Sequence, residues 1–199
     1  YKWAFDGSCL LGANTISNAI YSVAIGGGVD SPFGVGTALI NKADGNMSLA
    51  MGAGSTASGI VSSAFGHKTV ASGDVSTAMG GQTLASGDYS AAIGGFNIAS
   101  GTGSVAMGYY SSASGNMGST AIGTYTTASG SSSTALGIYT DAGSYYQTSI
   151  GSYNKNISGT TDSWVSSDRL FVIGNGTGSS SRSDALVMLK NANTTLSGN

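Results

Sequence analysis

Few side chains in this sequence could act in catalysis or bind a metal. The 199 residues include one histidine, one cysteine and nine acidic residues, all of them aspartate. A catalytic site needs several titratable groups that converge, and no base or nucleophile stands at a motif spacing from His67. We expect His67 to be an exposed turn residue and Cys9 a small buried one. The sequence therefore predicts no catalytic residue, no metal site and no cofactor.

Two aspartates, Asp74 and Asp88, are the best candidates for a shared cation. They occupy the same position of a 14-residue repeat, and equivalent residues of stacked strands lie about 5 Å apart. Two carboxylates at that distance can hold a cation between them. A solvated turn explains the same residues more simply, and we favour that interpretation.

Aromatic residues fall at a regular spacing that could form a binding surface. Five consecutive repeats carry Phe or Tyr at one position, where earlier repeats carry Gly54, Lys68 and Gln82. Stacked rings could stabilise a corner of the fold, or an exposed aromatic strip could bind sugar rings, cell-wall polymers or matrix protein. We assign ligand binding to this strip and to neighbouring tyrosines, namely Phe96, Tyr109, Tyr110, Tyr125, Tyr139, Tyr145, Tyr146 and Tyr153.

Composition excludes several classes of protein. Charged residues make up 8% of the chain and the formal net charge is −2, so no basic surface is available to bind nucleic acid. No apolar run approaches the roughly 20 residues that span a membrane. We therefore expect no nucleic-acid partner and no direct membrane insertion of this segment. A single cysteine also excludes an intrachain disulfide.

A short internal repeat organises most of the chain. The pattern Ser, any residue, Ala, a large apolar residue and Gly recurs every 14 residues, once after 15, as in Ser62–Gly66 and Ser76–Gly80. Halfway through each repeat stands Ala-Ser-Gly. A fixed short period indicates a solenoid, and 14 residues suffice for two short strands joined by two turns. We expect glycine to supply the backbone freedom of both corners. Residues 26–52 are interpreted as two coils, one shortened, with Ala38-Leu39 as a degenerate copy.

Alternation along each strand separates two apolar columns. Side chains of successive residues point to opposite faces, so the Ala column and the large column face opposite ways. The large column needs cover, and identical columns of sister chains in a closed homotrimer provide it. Which column lines the interior stays open at this point. The predicted trimer interface consists of Ile25, Met51, Phe65, Met79, Ile93, Met107, Ile122, Leu136 and Ile150.

A third column is rich in hydroxyl groups. It consists of Ser55, Thr69, Thr83, Asn97, Ser111, Thr126 and Thr140. Flat threonine arrays on β-solenoids resemble ice-binding faces. Because Ser and Asn interrupt this array, we rank ice binding well behind adhesion.

The repeats at residues 8–153 resemble the head repeats of trimeric autotransporter adhesins of bacterial surfaces. The resemblance rests on in-phase copies such as Ser22-Val23-Ala24-Ile25-Gly26 and on the Ala-Ser-Gly motif. It implies an all-β fold: a left-handed parallel β-roll solenoid with 14-residue coils, assembled as a homotrimer. It also implies a non-catalytic, extracellular head that attaches a bacterial cell to a matrix protein or glycan. Similar repeats occur in phage tail fibres, so a phage or contractile-injection fibre that recognises a host receptor is the alternative.

Three regions follow from the period. Residues 1–7, with Trp3 and Phe5, are predicted to be an N-terminal cap over the open end of the roll. Residues 8–153 form the roll. Residues 154–199 form a non-repeat connector, in which 168–176 is a strand and 182–190 is a strand or a short helix.

Overall fold

Each 14-residue repeat forms one coil of a parallel β-solenoid, as the spacing predicts. The computed structural model describes residues 2–3, 7–12, 14–29 and 38–197, and every regular element in these ranges is a β-strand. The chain divides into two units, Tyr1–Phe96 and Asn97–Asn199. The all-β fold and the coil length predicted from the sequence are therefore confirmed.

In the first unit, a long and a short strand alternate along the chain. The strands are β1 (Lys2–Trp3), β2 (Cys9–Leu11), β3 (Thr15–Ser17), β4 (Val23–Gly26), β5 (Gly28–Val29), β6 (Ala38–Leu39), β7 (Asn41–Ala43), β8 (Leu49–Ala53), β9 (Thr56–Ala57), β10 (Ser63–His67), β11 (Val70–Ala71), β12 (Thr77–Gly81), β13 (Leu84–Ala85) and β14 (Ala91–Gly95). The long strands β4, β8, β10, β12 and β14 pair in parallel in one sheet, and β3, β7, β9, β11 and β13 form a second sheet. Equivalent residues align, so Phe65 lies between Met51 and Met79.

The second unit continues the same alternation and then changes. Its strands are β15 (Ile98–Ala99), β16 (Val105–Tyr109), β17 (Ser112–Ala113), β18 (Thr120–Thr124), β19 (Thr127–Ala128), β20 (Thr134–Ile138), β21 (Asp141–Ala142), β22 (Thr148–Ser152), β23 (Arg169–Asn175), β24 (Asp184–Leu189) and β25 (Thr194–Leu196). Strand β23 still pairs in parallel with β22, with Gly174 beside Gly151, so the sheet extends into the predicted connector. Strands β24 and β25 then add antiparallel, which decides between strand and helix near residue 186.

The interior is lined by alanine and by hydroxyl side chains. The Ala column of the long strands and that of the short strands are both fully buried, as Ala64 and Ala71 show. The large column therefore faces outward, which settles the question that the alternation leaves open. Between the two sheets there is room for little more than a methyl group in each layer.

The hydroxyl column also points inward, so the ice-binding hypothesis is wrong. Thr69 and Thr126 are fully buried, and their Oγ1 atoms lie 2.9 Å from Ser55 Oγ and Ser111 Oγ. Ser55 Oγ in turn donates a 2.9 Å hydrogen bond to the Gly66 carbonyl. Ser111 Oγ likewise donates to the Gly123 carbonyl, so the serines satisfy backbone carbonyls that the corner withdraws from water.

The corners are not made by glycine alone, contrary to the prediction. At the first corner, between the long and the short strand, Lys68 has φ 54°, and at the second corner Val75 has φ 57°. Gly73 of the Ala-Ser-Gly motif lies outside the left-handed region. Glycine is required at position 73 because the next coil lies so close. A Cβ at this position would lie under 3.0 Å from the carbonyl carbon of Gly87.

The interpretation of residues 26–52 as two coils is wrong. Strand β4 pairs directly with β8, and Gly26 is in register with Gly52, so only one coil step separates them. Among the additional residues that the structure describes, β5 and β6 pair antiparallel in a separate two-stranded sheet. The motif at Ala38-Leu39 is strand β6 of that sheet and is not a degenerate coil.

The predicted N-terminal cap falls mostly outside the described residues. The backbone of β1 pairs antiparallel with β2, with Lys2 opposite Leu10 and Trp3 opposite Cys9. This pairing covers the edge of β2. Phe5 and the side chain of Trp3 lie outside the part of the chain that the structure describes.

Two glycine variants test the close stacking of the coils. Gly73→Ala forces a methyl group into the Gly87 carbonyl, and we expect a loss of about 3 kcal/mol of folding free energy. Gly81→Ala is the matched control, because a Cβ there meets nothing within 4 Å; in a strand it should be neutral or stabilising by about 0.5–1 kcal/mol. Chemical denaturation measures both. Equal effects would contradict the stacking argument.

Candidate functional site

Four tyrosines of the second unit form a continuous stack at the first corner. Ring centroids of Tyr110 and Tyr125 are 5.0 Å apart, those of Tyr125 and Tyr139 are 4.6 Å apart, and those of Tyr139 and Tyr153 are 4.7 Å apart. Planes within the stack differ by 12° or less. Each residue is left-handed, with φ from 42° to 53°. We call this set the tyrosine ladder.

Backbone hydrogen bonds hold the ladder in register. The N–H of Tyr125 donates to the Tyr109 carbonyl at 2.9 Å, and the N–H of Tyr139 donates to the Thr124 carbonyl at 2.8 Å. The left-handed conformation turns each corner N–H toward the preceding coil. The side chains are then carried outward at the spacing of the strands.

Stacking determines which part of each ring a ligand can reach. The ring faces pack on one another, so the exposed surface consists of ring edges and hydroxyl groups. Desolvation by the packed neighbours raises the pKa of Tyr110 and of Tyr139, and the adjacent tyrosines add to the effect. These phenols therefore remain protonated at neutral pH and can donate hydrogen bonds. A sugar ring has no access to the stacked faces.

Tyr109 broadens the ladder, as the sequence suggests. Its ring stands at 90° to that of Tyr110 with centroids 4.6 Å apart, and at 89° to that of Tyr125. Tyr109 and Tyr110 are both exposed. At this end of the ladder, the exposed surface therefore includes the Tyr109 ring, which is perpendicular to the stacked rings.

Two predicted site residues lie elsewhere. Tyr145 and Tyr146 stand at the second corner, where their own rings pack together with centroids 4.1 Å apart. They do not widen the ladder, because the long strand separates the two corners of a coil. Phe96 is the last residue of the first unit and occupies the first-corner position with φ 56°.

A positive charge closes the far end of the ladder. The guanidinium of Arg182 lies 5.9 Å from the centroid of the Tyr153 ring, within range of a cation–π interaction. Its Nη1 donates to the carbonyls of Tyr139 and Asn154 at 3.1 and 2.9 Å. Nothing in the repeat pattern pointed to Arg182, because it belongs to the non-periodic tail.

Beside Tyr145 lies a second aromatic cluster that the sequence did not reveal. The ammonium of Lys190 is 5.7 Å from the Tyr145 ring and 5.4 Å from the Trp164 ring. It also lies 3.8 Å from Asp168. Desolvation lowers the pKa of Lys190, and Asp168 opposes that shift. The cluster joins the loop before β23 to the end of β24.

A buried ion pair fixes β24 on β23. Arg169 and Asp184 are both buried, and their charged atoms are 2.7 Å apart. The Lys155 N–H donates to Asp184 Oδ1 and the Lys155 carbonyl accepts from Arg169. Both charges are therefore satisfied by hydrogen bonds, as a buried pair requires. We assign this group to the structure of the tail.

In the first unit, the second corner carries a strip of large exposed residues. These residues are Tyr21, Met47, Val61, Val75 and Tyr89, all with φ between 55° and 58°. They follow one another from coil to coil, and the Val61 and Val75 N–H groups each donate to the coil before at 2.8 Å. We call this set the second-corner strip.

The predicted trimer interface forms one outward column of the long-strand sheet. In the isolated chain its members are half-buried or exposed, with Met79 42%, Ile122 39% and Leu136 36% accessible. Within each unit these side chains line up from strand to strand, and no described element covers them. They form the continuous apolar surface that the alternation predicts.

The described residues form no cluster of potential metal ligands. Among the described residues, no three His, Cys or Asp side chains lie close enough to hold a metal ion. Asp88 Oδ1 accepts the Asp74 N–H at 2.9 Å, and Asp74 Oδ1 accepts the Ile60 N–H at 2.8 Å. These carboxylates cap the backbone of the preceding coil, which supports the turn interpretation. Cys9 is half-buried rather than fully buried.

Comparison with known families agrees with this geometry. A family model described as the YadA head domain repeat (2 copies) matches residues 43–69, 59–80, 71–97, 99–125 and 117–140. The matched coils are YadA head repeats. The YadA head is the head of a trimeric autotransporter adhesin, so the resemblance suspected from the sequence is confirmed for these coils. No curated protein matches the chain. Within the described part of these head repeats and their flanks, no helix is long and apolar enough to cross a membrane.

One substitution pair in the head repeats measures the ladder's structural contribution. Tyr125 stacks on a ring on each side, and such pairs contribute about 0.5–1.5 kcal/mol each. Tyr125→Ser should therefore lower the free energy of unfolding by about 1–3 kcal/mol. Tyr125→Phe keeps both stacks and should stay within about 0.5 kcal/mol of the parent. If Ser and Phe are equally tolerated in denaturant titrations, stacking does not stabilise the corner.

Proposed function

We propose that this chain is the trimeric head of a bacterial surface adhesin, which attaches the cell to host or other surfaces without catalysis. The observation that carries the proposal is the uncovered apolar column on the long-strand sheet. An exposed stripe of this kind marks an association surface. The family shown by the head repeats is trimeric, and three copies around an axis bury equivalent columns together.

The thin interior gives a physical reason for the assembly. Ala64 and its equivalents bury a single methyl group each, so one coil gains little from the removal of apolar surface. Phe65, Met79 and their equivalents are the largest apolar groups of the long strands. Burial between chains adds most of the hydrophobic stabilisation that the interior cannot supply.

We further propose that the ladder and Tyr109 are the ligand-contacting surface. Support comes from the row of phenol edges at 4.6–5.0 Å spacing. Rigid aromatic side chains offer large contact area at a small entropic cost. The ligand class is a matrix protein or a glycan held through hydrogen bonds and ring edges.

A charge on the apolar column should dissociate the trimer. Met79→Asp places three carboxylates in one apolar layer, and we expect a loss of about 3–5 kcal/mol, seen as a monomer in sedimentation velocity. Ile98→Asp is the control, because Ile98 is also 42% exposed but lies on the short-strand sheet. The proposed interface is wrong if Met79→Asp stays trimeric.

Removal of the phenol hydroxyls tests ligand binding separately from folding. The triple variant Tyr110→Phe, Tyr125→Phe, Tyr139→Phe retains the stack, so its melting temperature should match the parent. Attachment to immobilised matrix proteins and to a glycan array should fall at least tenfold. Unchanged attachment to a surface that the parent binds would show that the ladder is structural only.

A further inference from the structure

The left-handed backbone of the second-corner strip in the first unit lowers the folding stability of the isolated chain. A left-handed backbone disfavours residues with a Cβ, and β-branched residues most of all. Val61 and Val75 nevertheless adopt it, and both are exposed. Neither backbone preference nor burial within one chain explains a large apolar residue at these positions. Contact with another molecule does.

The sizes of the residues at the two corners are complementary in three layers of each unit, whereas the layers of Tyr89 and Phe96 and of Tyr146 and Tyr153 carry a large residue at both corners. In the first unit, the second corner carries Met47, Val61 and Val75, while the first corner of the same layers carries Gly54 or flexible polar residues such as Lys68. In the second unit the order is reversed. Its first corner carries the tyrosine ladder, and its second corner carries Gly103, Gly118 and Ser132.

This complementarity cannot act within one chain. A five-residue long strand such as Ser63–His67 separates the two corners by roughly 16 Å. In a cyclic assembly, however, equivalent coils of all copies stand at the same height. The second corner of one copy can then meet the first corner of the next copy, layer by layer, as a heterologous contact.

We infer that the second-corner strip of the first unit packs against the first corner of a neighbouring copy of this chain, in the same layers. The inference rests on the proposed trimer. A second copy is the partner that fits, because it has the same coil spacing and places Gly54, Lys68 and Gln82 opposite the strip. The strip also lies at the end of the long strands that carry the apolar column, since Val61 lies just before the strand that contains Phe65.

The reversed sizes have a consequence for the proposed ligand surface. In the layers of Tyr110, Tyr125 and Tyr139, the second-corner residues Gly103, Gly118 and Ser132 are too small to cover a neighbour's first corner, whereas the layer of Tyr153 carries the large Tyr146. A cleft therefore remains between copies, with the tyrosine ladder as one wall. A ligand can enter there and contact the phenol edges.

Disulfide trapping tests the contact directly. In a Cys9→Ser background, the variant Val61→Cys, Lys68→Cys should give covalent trimers on a non-reducing gel after mild oxidation. The two positions of one chain are too far apart for an internal disulfide, which needs Cα atoms within about 7 Å. The control is Met47→Cys, Gln82→Cys, whose layers differ by roughly 10 Å along the stack; it should remain monomeric on the gel.

Sedimentation velocity of the same samples separates the possible failures. A trimer without Val61–Lys68 cross-links overturns this inference and leaves the proposed assembly intact. A monomer overturns both. Cross-links in the control pair to the same extent would show unspecific collision and would also overturn the inference.

A second experiment distinguishes a neighbouring copy from a foreign ligand. Val61→Asn with Val75→Asn relieves the left-handed conformation, which Asn tolerates. If a neighbouring copy covers the strip, the trimer should dissociate at a concentration at least tenfold higher than the parent. Unchanged trimerisation with lost surface attachment would assign the strip to a ligand. Val70→Asn, on the short-strand sheet, is the control and should leave both properties unchanged.

Discussion

The close approach of successive backbones is the constraint on which the rest of this structure depends. At Gly66 a Cβ would collide with the Gly80 carbonyl, and at Gly73 it would collide with the Gly87 carbonyl. Two glycines in each coil therefore allow the next coil to stack at hydrogen-bonding distance. That distance, repeated along each unit, places every side chain in a column with its equivalents.

The position of each column, inside or outside the coil, determines which residue types it carries. Inside, the two close sheets admit mostly Ala, Ser and Thr, and side chains such as Ser55 and Asn97 donate to backbone carbonyls at the first corner. Outside, any large side chain is repeated at the strand spacing. An apolar column thus becomes a continuous surface, and a tyrosine column becomes a stack of rings. The chain gains most of its capacity for association from positions that a globular protein would use for its core.

The fold could be predicted from the sequence because its period is nearly perfect. Gly52, Gly66 and Gly80 fixed the coil length, and alternation fixed which columns share a face. The corners were predicted only in part: Gly66 has φ 132°, as expected of a glycine that supplies backbone freedom, but Lys68 and Val75 also adopt positive φ, and Gly73 serves close approach only. The hairpin within residues 26–52 and the contacts of Arg182 and Lys190 were missed because they depend on tertiary neighbours outside the repeat. Tyr145 was grouped with the ladder because proximity along the chain does not reveal that a whole strand lies between two corners.

The direction of the hydrogen bonds has a mechanical consequence. In each unit, bonds such as Thr56 N–H to the Thr69 carbonyl and Ser63 N–H to the Ser76 carbonyl run from one coil to the next, along the stacking direction. A force along that direction loads all the hydrogen bonds between two coils at the same time. A force applied at one corner breaks these hydrogen bonds one after another. Resistance to tension therefore depends on how evenly the force is spread over a coil. Attachment through several neighbouring coils distributes it better than attachment at a tip.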